Sequence, residues 1–316
     1  MRKYIVVDAK DISLKQLAER GFQMIHMPYH ALQGHTRTKW QLFPEEKYAI
    51  DAARKDDKPV PLEEYMKLFE MDALNEAALY YQELLYSNQG NDARKYLKDR
   101  GLSDETIRKY ALGYSGGTRD GLYQHLKEKG YSIDSLTQIG LFYFRMMAAH
   151  DYFRNRIMFP IMDDQGNVIS FGGRALDGEG PMYLHTPDTS CFDKKRTIYG
   201  LHLAKENGEK ELILCEGYLD VILLHQEGFT NAVCTVGSGL TSEQAAVLKQ
   251  YADSVILSLD SDEAGKRNAA RAAVLLKEAG LTVKNLDVSP YKDPYELLRK
   301  GGKKEYARRL EDAEII

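Results

Sequence analysis

Hydrophobic and polar positions alternate in blocks along the second half of the chain. Glu211-Leu-Ile-Leu-Cys-Glu-Gly217 is a short apolar run suited to a buried strand, Tyr218 to Glu227 has helical spacing and stops at Gly228, and Asn231-Ala-Val-Cys-Thr-Val-Gly237 repeats the strand pattern. Thr241-Ser-Glu-Gln244 opens a helix that runs to about Tyr251, because Thr and Gln at this spacing satisfy each other's free backbone amides as a capping box. Ser254-Val-Ile-Leu-Ser-Leu-Asp260 predicts a third strand. Asp262 caps an Ala-rich helix from Glu263 to Glu278, Gly280 closes it, and Leu281 to Val288 predicts a fourth strand. Strands apolar on both faces and separated by helices predict a mostly parallel sheet covered on each side.

Upstream the pattern changes. Helical spacing is expected over 73–86 and 92–100, and Ser103 begins a further helix with Glu105 and Thr106 in its first turn. Between Arg154 and Leu184 the signal is strand and turn: Arg156-Ile-Met-Phe-Pro-Ile161, the turn Asp163-Asp-Gln-Gly-Asn167, then Val168-Ile-Ser-Phe-Gly-Gly-Arg174. This predicts a second unit of mixed helix and antiparallel sheet. In the opening 1–72, Arg54-Lys-Asp-Asp-Lys-Pro59 reads as a loop, and His26, His30 and His35 read as scattered surface histidines. That segment is assigned no function.

Composition narrows the class. At 316 residues, 43% hydrophobic and 28% charged, the chain has material for about two globular domains. No run of ~18 uncharged apolar residues exists, and Asp8 interrupts the apolar start before it could form a signal-peptide core, so a membrane partner is not expected and a cytoplasmic location is. Cys191, Cys215 and Cys234 form no Cys-x-x-Cys pair, which argues against zinc and against a disulfide framework. A formal charge of -4 gives no overall attraction to nucleic acid, so local cationic clusters must supply it.

The chemistry lies in acids at strand ends. Glu216 follows the first predicted strand, Asp260 and Asp262 follow the third, and Asp293 lies in the loop beyond the fourth. Ligands of open α/β sheets bind outside the carboxyl ends of strands, so these acids are expected to converge. Unpartnered carboxylates repel one another, and a hard divalent ion, Mg²⁺ or Mn²⁺, answers that repulsion with oxygen ligands and leaves room for phosphate. Helix capping alone is the competing explanation, strongest for Asp262.

Glu216-Gly-Tyr-Leu-Asp220, Gly237-Ser-Gly-Leu-Thr241, Asp260-Ser-Asp-Glu-Ala-Gly265 and Lys292-Asp-Pro294 closely resemble the Toprim domain of bacterial DnaG-type DNA primases. Tyr96-Leu-Lys-Asp-Arg-Gly-Leu-Ser103, Phe153-Arg-Asn-Arg-Ile-Met-Phe-Pro160, Phe171-Gly-Gly-Arg174 and Tyr199-Gly200 resemble the primase RNA-polymerase core upstream of it. The similarity spans about Ala73 to Leu310. It implies an α/β architecture: a mixed α+β nucleotide- and template-binding subdomain over 73–208, a Toprim parallel-sheet, Rossmann-like domain over 209–290, and a C-terminal loop and helix over 291–316. The implied activity is template-directed synthesis of short RNA primers on single-stranded DNA from ribonucleoside triphosphates, giving an RNA–DNA hybrid. A Toprim nuclease and a non-catalytic DNA-binding module are the alternatives.

The resemblance also distributes roles. Glu216, Asp260 and Asp262 are the implied catalytic acids, and with Asp293 they are the implied metal ligands. Arg100, Arg154, Arg156, Arg174 and Lys194 are the implied nucleotide and template contacts, with Arg154 and Arg156 pointing to one face of a strand. Gly217, Tyr218 and Asp220 are supporting, Gly217 by permitting a sharp turn and Asp220 by orienting the site. Tyr152 and Phe153 are candidates for base stacking, although core packing is the commoner use of such aromatics. The chain departs from the family pattern at Met182 and His185, where Lys and Asn are usual, and at Tyr295, where a second Asp is usual and neighbouring Glu296 is a partial substitute. The zinc module that ordinarily precedes the core, and the helical and helicase-docking parts that ordinarily follow, are expected to be missing, although the replicative helicase remains an implied partner.

Overall fold

The four apolar runs of the second half line up as the centre of one sheet. In the computed structural model, which describes residues 7–8, 39–40, 62–131, 133–145, 148–237 and 239–316, two compact units interleave along the chain. One takes residues up to Ala93, Gly113–Met158 and Val168–Cys191; the other takes Arg94–Leu112, Phe159–Asn167 and Phe192–Ile316. Val7–Asp8 (β1) and Lys39–Trp40 (β2) pair antiparallel, and the three N-terminal histidines lie outside the described residues.

The first unit is organised on a helix, α1, at Leu62–Tyr86. It starts well before the expected Ala73, and Pro61-Leu-Glu-Glu64 carries the start signal: a proline followed by acids in the first turn. The short helix α2 at Asn91–Asp99, from Arg94 on, and α3 at Asp104–Lys109 belong to the second unit; the Ser103 hydroxyl caps α3 by accepting the Thr106 N–H. Strands β3 (Gly113–Tyr114), β6 (Arg156–Met162), β7 (Val168–Ala175) and β8 (Tyr183–His185) form an antiparallel sheet in that order. Tyr81 of α1 meets Phe171 of β7 edge to face at 5.3 Å, both fully buried. Helices α4 (Gly121–Glu128) and α5 (Ile133–Gln138) and the hairpin β4 (Phe142–Arg145) with β5 (Ala148–Asp151) complete this unit. Asp151, at the end of β5, accepts the Leu122 and Tyr123 N–H groups at 2.9 and 3.0 Å and so caps α4 from outside the helix.

One strand expectation is corrected here. β6 begins at Arg156, not before it, and Asn155 holds a left-handed φ of 51°. The two-residue alternation that would align Arg154 with Arg156 is therefore broken. Asn155 tolerates that conformation with its side chain anchored, its amide oxygen accepting from the Tyr114 hydroxyl at 2.8 Å.

In the second unit, β9 (Ile198–Tyr199) precedes a one-turn helix, α6 at Leu201–Ala204, and β10 (Glu211–Cys215), α7 (Tyr218–Gln226), β11 (Ala232–Thr235), α8 (Ser242–Tyr251), β12 (Ser254–Leu257), α9 (Glu263–Glu278) and β13 (Thr282–Asn285) follow the predicted alternation. The sheet order is β14-β13-β12-β10-β11-β9, with β14 at Glu314–Ile315; the four central strands are parallel and the two edges antiparallel. The capping box at Thr241 and Gln244 forms in both directions, at 3.0 Å each. Leu214, Val255, Leu257, Leu248 and Leu276 bury one face of the sheet under α8 and α9. Two short helices, α10 (Pro294–Glu296) and α11 (Gly302–Glu311), close the unit. Among the described residues, no helix is long and apolar enough to cross a membrane.

Candidate active site

Parallel register sets the acids beside one another. Leu214 of β10 lies opposite Leu257 of β12, and the ladder runs one step further as the Ser258 N–H donates to the Leu214 carbonyl. Glu216 and Asp260 therefore leave neighbouring strands at nearly the same height, and the Asp260 N–H approaches Glu216 Oε1 at 3.4 Å. Asp262 caps α9, its Oδ1 accepting the Gly265 N–H at 2.8 Å. Asp293 caps α10 in the same way, accepting the Glu296 N–H at 2.7 Å. The Ser261 N–H donates to the Lys292 carbonyl at 2.8 Å, which ties the Asp293 loop to the Asp260–Asp262 loop.

The electrostatics report this convergence. Burial pushes the Asp260 carboxyl up to about 6, and Glu216, Asp293 and Asp262 push the same way against a smaller pull from Lys292. Asp220 is pushed up to about 8, first by burial and then by Asp293 and Asp260. It spends both oxygens on backbone: Oδ2 accepts the Gly217 N–H at 2.9 Å and Oδ1 the Tyr295 N–H at 3.2 Å. Gly217 is extended, so its role is not a sharp turn; a β-carbon there would stand 2.8 Å from Asp220 Oδ2. Tyr218 packs away from the acids, its ring 4.4 Å from Tyr199 and 5.3 Å from Phe159.

Among the described residues, no three His, Cys, Asp or Glu side chains stand together as a finished cage for an ion. The donor set nevertheless suits a hard divalent cation. It consists of carboxylates gathered against their own repulsion, and each cap on Asp262 and Asp293 uses Oδ1, leaving Oδ2 outside the bond. The three cysteines are buried thiols outside any disulfide; Cys215 and Cys234, distant in sequence, are opposite one another on β10 and β11.

The cations separate by role. In the second unit, the Arg100 guanidinium stacks over Tyr96 and Tyr295 at 5.2 and 5.3 Å. The Lys194 side chain runs beside Gly237, with its Cδ 3.5 Å from where a β-carbon would be. In the first unit, Arg154 is exposed and reaches only the Gly117 carbonyl at 3.4 Å. Arg174 lies over the Tyr183 ring at 5.2 Å. Arg156 is buried, with its guanidinium on the carbonyls of Gly173 at 3.1 Å, Pro181 at 2.9 Å, Met182 and Glu179. Phe153 is wholly buried and so belongs to the core, and Met182 is exposed.

Two residues take part in the site in ways not singled out from the sequence: Tyr295, noted there only as a departure from the family pattern, and Asn268, not noted at all. Tyr295 donates its N–H to Asp220 and its hydroxyl to the Arg100 carbonyl at 2.9 Å. Asn268 of α9 donates to Glu216 Oε2 at 3.4 Å, a contact that helical spacing from Asp262 and Gly265 signals in retrospect. Glu296, the supposed substitute for a second Asp, is engaged elsewhere, with the Lys292 N–H at 2.7 Å and the Lys300 ammonium.

A parallel sheet with edge strands reversed and acids at this rim defines a Toprim-class domain, and the family model described as Toprim-like matches residues 213–298. The model for the DNA primase catalytic core, N-terminal domain, matches 80–205. The chain is 42% identical over 255 residues to the DNA primase of Clostridium acetobutylicum, covering 80% of this chain and 42% of that protein. It is 35% identical over 249 residues to the DNA primase of Escherichia coli K12, covering 77% and 42%. A solved DnaG primase catalytic domain bound to single-stranded DNA superposes with a TM-score of 0.74 at 32% identity, over 79% of this chain and 80% of that one. A DNA primase domain from Pseudomonas aeruginosa gives 0.74 at 33% identity, over 78% and 79%. The chain belongs to the family of DnaG-type DNA primase catalytic cores. It spans about two fifths of the length of these curated relatives.

Proposed function

We propose that the chain is the polymerising core of a primase, joining ribonucleotides on a single-stranded DNA template. The 3′-hydroxyl of the growing strand attacks the α-phosphorus of a ribonucleoside triphosphate; the new phosphodiester forms as the bond to pyrophosphate breaks, and the hydroxyl proton goes to solvent. The observation that carries this reading is the gathering of Glu216, Asp260, Asp262 and Asp293 at one rim of the parallel sheet. Those four acids would hold Mg²⁺ or Mn²⁺, which when bound neutralises phosphate charge and makes the 3′-hydroxyl more acidic. No zinc enters the scheme.

The remaining residues bind and orient. Asp220 fixes the turn after Glu216 and the start of the Asp293 helix through its two backbone bonds. Arg100 and Lys194 in one unit, and Arg154 and Arg174 in the other, offer cations to phosphates of nucleotide or template. Arg156, although its counterpart role in the family is template contact, is assigned here to holding the strand that presents Arg174, because its guanidinium is already surrounded by carbonyls. The work takes place in the cytoplasm, on template exposed by a replicative helicase.

The test is incorporation of labelled ribonucleotides on an unlabelled single-stranded template with Mg²⁺ or Mn²⁺. Glu216→Gln abolishes product while melting temperature and DNA binding persist. Degradation of a labelled template without ribonucleotides would instead identify a nuclease. Salt-sensitive binding with no product in either metal would identify a binding module.

A further inference from the structure

We infer that Asn268 is a positioning residue that fixes the Glu216 carboxylate for the incoming ion; the inference rests on the metal-binding reading above. Glu216 lines a cavity of about 200 Å³ together with Gly237, Gly239, Leu240 and Asn268. Two of these are glycines, Gly237 and Gly239, which have no side chain to pack against the carboxylate. On its other side stand Asp260 and its acidic neighbours, whose charge repels it. Repulsion from those like charges favours a swing of the Glu216 carboxylate away from the position an ion needs.

Two donors oppose that swing. The Asp260 N–H approaches Oε1 and the Asn268 amide approaches Oε2, each at 3.4 Å. The first comes from backbone just beyond β12 and depends on no side chain. The second is a side chain whose placement follows from close packing of α9: Asp262 caps the helix at Gly265, and Gly265 is pressed against the Asp260 carbonyl so tightly that a β-carbon would lie 2.1 Å from it. Asn268 is three residues on, on the same helix face. Its amide oxygen faces Gly239, at 3.9 Å from a β-carbon built there, so the amide group directs its nitrogen to Glu216.

The chemistry of the donor matters as much as its place. An amide N–H₂ holds the carboxylate without neutralising it, whereas a lysine or arginine at 268 would compete with the ion for Glu216. Asn268 therefore sharpens the ligand's position while leaving its full negative charge available.

The test uses the full chain and measures Mn²⁺ binding from the loss of the free-ion paramagnetic signal, with melting temperature and single-stranded DNA anisotropy alongside. Asn268→Ala is expected to weaken Mn²⁺ binding about tenfold, the order seen when a partner of a metal ligand is removed, with DNA affinity and melting temperature unchanged. Asn268→Gln, which retains the amide donor, regains most of the loss. Should N268A melt well below wild type, Asn268→Ser, too short to reach Glu216, is read in its place. Wild-type Mn²⁺ affinity in the folded variant overturns the inference, and so does an equal fall in DNA and Mn²⁺ binding, which marks a merely structural residue. Because the readout is ion binding, a wild-type chain that makes no primers but shows this Mn²⁺ pattern counts against the proposed function alone; a wild-type chain that binds no Mn²⁺ overturns both.

Discussion

Gly265→Ala sets two effects of opposite sign against each other. Alanine favours helix over glycine by up to about 1 kcal/mol, and position 265 lies in the first turn of α9, where the gain is smaller. Against this, the added β-carbon would meet the Asp260 carbonyl oxygen at 2.1 Å, the carbonyl carbon at 2.7 Å and the Asp260 β-carbon at 2.9 Å, where ordinary contact begins near 3.4 Å. Helix and strand end must part by about 1.3 Å, the difference between that threshold and the oxygen contact. Overpacking of this kind costs about 1–3 kcal/mol, so a net loss of about 1–2 kcal/mol and a fall of roughly 2–8 °C in melting temperature are expected. The functional loss is larger, since the parted elements carry Asp260, Asp262 and Asn268, and misplacement of about 1 Å costs on the order of 100-fold in rate. Urea unfolding and ribonucleotide incorporation measured on one preparation give both numbers. A variant as stable as wild type, with undiminished incorporation, would refute the packing argument.

Three further outcomes follow from buried groups. Arg156→Met strands several carbonyls without a donor and is expected to cost about 2–4 kcal/mol in urea unfolding, whereas exposed Arg154→Ala changes stability by under about 0.5 kcal/mol and acts only on DNA affinity. Burial pushes the Asp151 carboxyl up to about 6, opposed by the two N–H groups it accepts; its folded pKa is above its unfolded value, so its titration favours folding below pH 4 and that contribution is lost as pH rises through 6. Asp151→Asn should remove this slope between pH 4 and 6, and an unchanged slope rejects the assignment. His225, buried with Nε2 donating to the Ala232 carbonyl at 2.8 Å, is pushed down to about 4 by desolvation. Its folded pKa is below 6.5, so stability is full above pH 6.5 and falls by up to about 3 kcal/mol as pH drops through 4; imidazole NMR showing titration near 6.5 would contradict this.

Much of the second unit was legible because its signals are local. A capping Thr or Asp, a closing Gly and an apolar run each act within a few residues, so α8 and α9 begin and end where Thr241, Asp262 and Gly280 dictate. The convergence of Glu216 with Asp260 was legible for a different reason: parallel strands of similar length bring their ends to one rim. What depends on partners distant in sequence was not legible. Arg156 and Arg174 look alike as letters, yet Arg156 is enclosed by the carbonyls of Gly173, Glu179, Pro181 and Met182 while Arg174 lies over the Tyr183 ring. Asn155 adopting a left-handed conformation shifts the strand start and undoes the alignment with Arg154. Likewise, nothing local to residues 94–112 or 159–167 assigns them to the second unit, because that grouping is made by contacts and not by composition.

Tyr295 stands where the family resemblance implies another acid. The chain thereby exchanges a unit of negative charge for a mechanical strut, since the same residue grips Asp220 by its amide and the Arg100 backbone by its phenol, and lies under the Arg100 guanidinium. The cation is thus immobilised during folding, and the entropy of ordering it does not have to be met when a phosphate arrives. If Arg100 is the phosphate contact proposed above, a rim so braced captures its ligand by readiness and relies less on raw electrostatic pull.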